Sequence, residues 1–363
     1  MHGKTMRRVL VPLLALVVLS LVLASAVSAR SGARTATKPT AAQMRAVASK
    51  LIADARKVGT LNFYTSVDPT TSQVLANAFG KKYGIKVTFT RLTSGPIAAR
   101  YDAEAQAGTF NADAVVISNP PFFADALSHG WMLPLKTWKD APNLYYLPQK
   151  FKFYGSVGLG ISRVNGVIIN TNTVTGSNVP ATWQDLLNPR WAGRMIIGDP
   201  RTVPVNMGLW QVLRKKYGDA FLRGIASQHP RVVASMVTGA QLVAAGEADV
   251  AVGANIGHIT PLLTASPNAP AKLITPQGID AGFTWNIGIS AHSPNPAAGL
   301  LFVNWLLSGQ GQQIFNSTGQ VPTLPGVKPP PDADPLTSKY VTVSSAVSPA
   351  NQAQILSLLG LTG

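Results

Sequence analysis

An α/β protein built on parallel, doubly wound sheets is what this sequence predicts, on three grounds. Short apolar runs alternate with helical-period stretches between residues 60 and 130. Each run ends in small polar residues, and the helix that follows holds a proline at or near its start. The same grammar returns between residues 181 and 307, and 363 residues suffice for two domains.

The elements follow in order. Residues 43–58 place Met44, Val47, Leu51, Ile52 and Ala55 on one helical face, closed by Gly59. The run LNFYTSVDP starts a strand over residues 61–68, with Asp68 as N-cap and Pro69 at the first helical position. Val74, Leu75, Ala78, Phe79 and Tyr83 then share a face, and Gly84 stops the helix. Residues 85–91 alternate apolar and polar, a half-buried strand. Thr93, Ser94 and Gly95 lead into a helix opened by Pro96 and closed by Gly108. Residues 112–117 form a third strand, and Ser118 and Asn119 precede a helix over 120–129. The aromatic stretch 136–156 reads as a loop-rich wall between domains, and 157–169 as strand, with the first crossing between lobes near 163–169.

In the second lobe, Thr182-Trp183-Gln184-Asp185 reads as a capping box opening a short helix. Residues 194–197 and 250–253 are strands; helices follow from Val205 to Gly218, over 220–227 and over 239–245. The long strand 283–291 is the expected return crossing, and 296–307 an apolar helix. Five prolines between 325 and 335 exclude helix there, and Ser348 with Pro349 starts a last helix. The expected division is a signal segment at 1–29, a flexible lead and helix at 30–59, and lobe 1 at 60–163 plus about 285–325. Lobe 2 takes 164–284 plus about 336–363, with a proline-rich connector at 326–335.

Residues 1–29 read as a secretory signal: Lys4, Arg7 and Arg8, an apolar core over 9–23, and Val27-Ser28-Ala29 as a cleavage site. The rival is an uncleaved anchor, since the apolar run extends to Val27. The expected mature chain is periplasmic or secreted. Losing those three basic residues lowers the net charge from +16 to +13. A solvated basic surface accounts for most of it; no arginine-rich stripe with interleaved aromatics suggests nucleic acid. The absence of cysteine excludes disulfides, thiolate metal sites and a cysteine nucleophile.

In doubly wound sheets, ligands bind at the carboxyl ends of the strands. Those ends here carry Thr65, Ser66 and Asp68; then Thr93, Ser94 and Gly95; then Ser118 and Asn119. Hydroxyls and helix amino ends together suit anionic oxygens, although Asp68 also serves as a plain cap and the Thr93 loop as a plain turn. Arg201 and Thr202 follow the strand at 194–197; the guanidinium either clamps a carboxylate or phosphate or pairs with Asp199. Asn255 and His258 follow the strand at 250–253, and Trp285 with Asn286 sits in the return crossing, where the indole could line a cleft.

The chain resembles the extracellular solute-binding proteins of ABC importers, in the branch holding the ferric-ion-binding proteins. The resemblance runs from about residue 48 to 323. It rests on YTSVDP (64–69), AFGKKYGIKV (78–87), ADAVVIS (112–118), LSHGWMLPL (127–135), ATWQDLLNPRWAGRMIIGDP (181–200), AAGEADVAVG (244–253) and FVNWLLSGQGQQIF (302–315). It implies the type II periplasmic-binding-protein fold, two α/β lobes joined by crossing strands that close over a ligand. Ferric-binding members place two adjacent tyrosines after the strand that follows the GEA segment; here Asn255-Ile256-Gly257-His258 stands there. Fe³⁺ prefers phenolate or carboxylate oxygens, and Tyr145-Tyr146 lies far upstream. Related members take phosphonates, sugar phosphates or carboxylates, and some take organic cations.

The expectation is therefore a monomeric transport receptor, without cofactor or resident metal, that captures a small solute and delivers it to an ABC permease. Ferric transport is the alternative, and a sensory role is not separable by sequence. A secreted hydrolase would need a serine or carboxylate beside a base on a strained turn, and neither GxSxG nor HExxH occurs.

Overall fold

A computed structural model describes residues 40–331, 333, 335 and 340–362. The expected signal segment and residues 30–39 of the lead lie outside the described residues. Helix α1 (Ala41–Val58) starts earlier than the apolar face suggests because Thr40 caps it. Thr40 Oγ1 accepts from the Gln43 amide, and Gln43 Oε1 accepts from the Thr40 amide. Strand β1 (Thr60–Thr65) ends before Asp68, because Thr65 Oγ1 turns back to accept the Val67 amide. Asp68 Oδ1 accepts from the Thr71 amide at 2.8 Å and starts α2 (Pro69–Tyr83) as expected. Then come β2 (Lys86–Arg91), α3 (Ser94–Gln106), β3 (Ala114–Ile117) and α4 (Pro120–Ser128). Helix α3 begins at Ser94 rather than Pro96, so Ser94 and Gly95 belong to its first turn.

The aromatic stretch after α4 forms short 3₁₀ turns that pack on α1 rather than between the lobes. Trp138 is buried there. Strands β4 (Lys152–Phe153) and β5 (Ser156–Arg163) follow, then a break at Val164 and Asn165, then β6 (Gly166–Asn170). The expected capping box is instead a 3₁₀ turn, Gln184–Leu187. Asp185 Oδ2 accepts from both the Ala181 and Thr182 amides, so the carboxylate and not the threonine hydroxyl organises it.

The second lobe continues with β7 (Met195–Gly198), α5 (Pro204–Tyr217), α6 (Asp219–Ala226), β8 (Arg231–Val233), α7 (Met236–Ala244), β9 (Val250–Ala254), α8 (Ile256–Ala265) and β10 (Ala271–Ile274). The chain returns through β11 (Ala281–Ile289), α9 (Pro296–Leu306), α10 (Gly309–Phe315) and β12 (Val321–Pro322). Asn143 ties the 3₁₀ stretch to α9, its amide donating to Asn304 Oδ1 at 2.9 Å. The tail adds β13 (Val341–Thr342), parallel to the start of β11, and α11 (Pro349–Leu358), packed on α5 and α6.

The sheets run β12-β5-β11-β3-β1-β2 and β10-β6-β9-β7-β8. Each holds a parallel trio, β3-β1-β2 or β9-β7-β8, so the α/β class stands. Neither sheet is wholly parallel: β11 runs antiparallel to β3, and β6 antiparallel to β9. The direction follows from connectivity. Strands β6 and β11 are the first strands after a crossing, so they start at the end where the parallel strands finish. The return crossing itself lies between Ile274 and Ala281, and β11 belongs entirely to the first sheet, which corrects the expected position.

The first sheet carries one buried carboxylate with a structural task. Asp113 is 1 % exposed; Oδ2 accepts from the Asn62 amide, and Oδ1 from Ser293 Oγ and the Asn295 amide. It pins β1 to the turn that opens α9. Asp113→Ala should cost about 3 kcal/mol, since two amides and a hydroxyl lose a charged acceptor in a buried place. Urea unfolding checks this; a loss below about 1 kcal/mol would contradict the assignment.

Candidate functional site

The carboxyl ends of both parallel trios meet at a cavity of about 50 Å³. The first lobe supplies Ser66, Thr93, Ser94 and Ser118 after β1, β2 and β3, together with Arg91 from the end of β2. Ser94 Oγ donates to Ser66 Oγ at 2.9 Å and lies 2.9 Å from Ser118 Oγ. A hydroxyl has one proton, so Ser118 donates to Ser94 and the Ser66 proton is left for the cavity. Phe283 and Trp285 form a wall from β11, and the Trp285 N–H is already used on Ser162 Oγ at 2.9 Å.

The second lobe brings helix starts. Val203, Ser235 and Asn255 stand at the N-caps of α5, α7 and α8, and all three line the cavity. Neither Val203 nor Ser235 gives a side-chain cap, and nor does Thr93 at α3. Uncapped first-turn amides, each at the positive end of a helix dipole, are suited to an anion. Arg91 supplies full charge. Its Nε donates to Val67 O at 3.3 Å, and burial lowers its pKa from the usual value while Asp68 opposes the shift.

His258 is held by Asn255, whose backbone N–H donates to Nδ1 at 3.0 Å. Burial, with the Arg91 charge adding to it, pushes the imidazole pKa down to about 3. The ring is therefore neutral near pH 7, and with Nδ1 accepting, its proton sits on Nε2. It is a hydrogen-bond donor without charge.

Of the residues expected from sequence, Ser66, Thr93, Ser94, Ser118, Asn255, His258 and Trp285 line this cavity. Asp68 lies in an adjoining compartment. Five others are elsewhere. Thr65 spends its hydroxyl on the Val67 amide. Asn119 stands at the N-cap position of α4, without a side-chain cap, outside the lining. Arg201 pairs with Asp199 at 3.0 Å on the surface, which removes the clamp reading. Gly95 and Thr202 meet each other: the Gly95 amide donates to Thr202 O at 3.0 Å, one lobe to the other. A Cβ at Gly95 would stand 2.5 Å from that oxygen. Tyr145 and Tyr146 are surface residues outside the cavity lining.

Sequence reasoning missed Arg91, Asn206 and Ser235. Arg91 closes the alternating strand in the phase of Ile85, Val87 and Phe89, so a charged residue on the apolar side was the available signal. Ser235 follows the short strand β8 and repeats the small-polar-before-helix signal of Thr93, a clue that was available.

These features define a two-lobed α/β binding protein of type II periplasmic architecture, with a cleft between the lobes. The chain belongs to the bacterial extracellular solute-binding protein family, whose model matches residues 64–320. A Haemophilus influenzae protein is 26 % identical over 278 residues, covering 70 % of this chain and 75 % of the relative. Among solved structures, the periplasmic binding protein AfuA of Actinobacillus pleuropneumoniae, with exogenous fructose-6-phosphate bound, matches with a TM-score of 0.71 at 21 % identity. That match covers 84 % of this chain and 99 % of AfuA. Iron-bound HitA of Pseudomonas aeruginosa gives 0.65 at 20 % identity, over 83 % and 97 % of the two chains. An ABC-transporter substrate-binding protein of Agrobacterium tumefaciens gives 0.73 at 14 %, over 84 % and 96 %. These neighbours are binding proteins rather than enzymes, and at these identities they establish the fold.

Two outcomes follow from the geometry. Gly95→Ala should weaken ligand affinity about tenfold or more, because the methyl props the lobes apart at a cost of about 1–3 kcal/mol. Alanine suits a helix at least as well as glycine, so Tm should not fall. Calorimetric titration and melting check this, and unchanged affinity would refute it. Second, His258 titrates near 3 when folded against 6.5 when free, so the unfolded chain takes the proton first. The stability that depends on a neutral His258 is complete above pH 6.5 and is lost as pH falls toward 3. Tm should therefore drop more steeply between pH 6.5 and 4 in the parent than in His258→Gln; parallel curves would refute it.

Proposed function

We propose that this chain is the extracytoplasmic receptor of an ABC importer, capturing a small organic anion between its lobes and handing it to a membrane permease. Residues 1–29 direct its export. One observation carries the choice of ligand: Arg91 and the uncapped starts of α3, α5 and α7 converge on one cavity, with hydroxyl donors between them. Positive potential with many donors fits a carboxylate, phosphonate or phosphate group. The cavity volume favours a compact solute. Closure is then a population shift, stabilised by contacts made only when both lobes reach the ligand.

The ferric alternative lacks support from the lining, which offers one imidazole, hydroxyls and amides and no phenolate. Among the described residues no cluster of three or more His, Asp or Glu could hold a metal ion. The test is a titration of the full chain with a panel of small carboxylates, phosphonates and sugar phosphates. Arg91→Ala should weaken any hit about 100-fold, the scale of a charge-assisted hydrogen-bonded pair. Tight ferric binding with visible tyrosinate-like absorption, and no response to any anion, would overturn the reading.

A further inference from the structure

Beside the main chamber lies a second compartment of about 20 Å³, which the anion reading leaves unused. Asp68 and Gln320 line it, and it shares Arg91, His258 and Trp285 with the main chamber. Asp68 is 6 % exposed. Its Oδ1 is engaged by the Thr71 amide, and among the described residues no ion pair reaches it. Burial raises its pKa, and hydrogen bonds from the first turn of α2 together with the Arg91 charge oppose the rise. Trp285 cannot donate into either compartment, because its N–H is bound to Ser162. What it adds to the lining is aromatic ring surface.

A buried carboxylate beside an indole face is the pairing that recognises a cationic nitrogen. The main chamber recognises the opposite charge. The two meet around Arg91 and His258, so the distance between their preferred groups is short. We propose that the solute is a short zwitterion. Its ammonium group sits against Asp68 and Trp285, and its carboxylate or phosphonate sits among Arg91, Ser66 and Ser235. This rests on the anion reading above and narrows it. An anion without the ammonium group would leave the Asp68 charge without a partner of opposite sign from the ligand.

The experiment is calorimetric titration of the full chain with matched pairs: β-alanine against propionate and 3-hydroxypropionate, and aminomethylphosphonate against methylphosphonate. The amino member of each pair should bind about 10- to 100-fold more tightly, the size of one charged hydrogen bond. Asp68→Asn keeps a residue that caps helices well; it should erase that preference, bringing the two members of each pair to equal affinity. Equal affinity within the pairs, or a hydroxyl serving as well as the ammonium, overturns the zwitterion and leaves the anion reading standing. Loss of both series in Asp68→Asn also overturns it, by making Asp68 structural. Silence from both series in the parent removes the anion reading and this one with it. Should Asp68→Asn fail to fold, the comparison within pairs in the parent decides alone.

Discussion

One buried side chain holds the two chain crossings together. Asn165 is fully enclosed between β5 and β6; its Nδ2 donates to Ile279 O at 2.6 Å, and its Oδ1 accepts from the Ala281 amide at 3.2 Å. One amide thus joins the outgoing crossing to the returning one, using both its donor and its acceptor. Arg163 and Asp280 add an ion pair beside it. Because the crossings are coupled, they set where the strand ends of one lobe stand against those of the other. The cleft, the convergence of helix starts and the backbone contact between Gly95 and Thr202 all depend on that register.

The site then works by geometry more than by strong chemistry. Helix starts left without side-chain caps are a local loss of stability, since each cap contributes on the order of 1 kcal/mol. Away from the cavity, the starts of α1, α10 and α11 are capped by Thr40, Ser308 and Ser348, while those of α4, α6 and α9 carry no side-chain cap. Among those that line it, Thr93, Val203 and Ser235 leave their first turns open. Where such a start faces the cavity, first-turn amides that no side chain caps can serve a guest. His258 fits the same logic, contributing a proton donor from a ring kept uncharged by burial and by the neighbouring guanidinium.

Local features were readable in the sequence because they depend on neighbours in the chain. Asp68 followed by Pro69, and the glycines at 59 and 84, marked helix ends through backbone constraints that need no tertiary context. Elements governed by packing were harder. Strands β8 and β10 are short and interrupted by charged residues, and Pro261 disguised α8. The two arginines show the limit most clearly. Arg201 has Asp199 two residues away and folds onto it. Arg91 has no acid nearby in the chain; the parallel register that sets it opposite Thr65 brings Asp68 close. That register is not written in either strand alone.

One contact that joins the lobes across the cleft is made by main chain, an amide of residue 95 against a carbonyl of residue 202. Side chains facing the guest take no part in that handshake. The walls could therefore be re-sorted over evolutionary time to suit a different solute while the closing movement stayed intact. A scaffold so divided can diversify its diet without relearning how to shut.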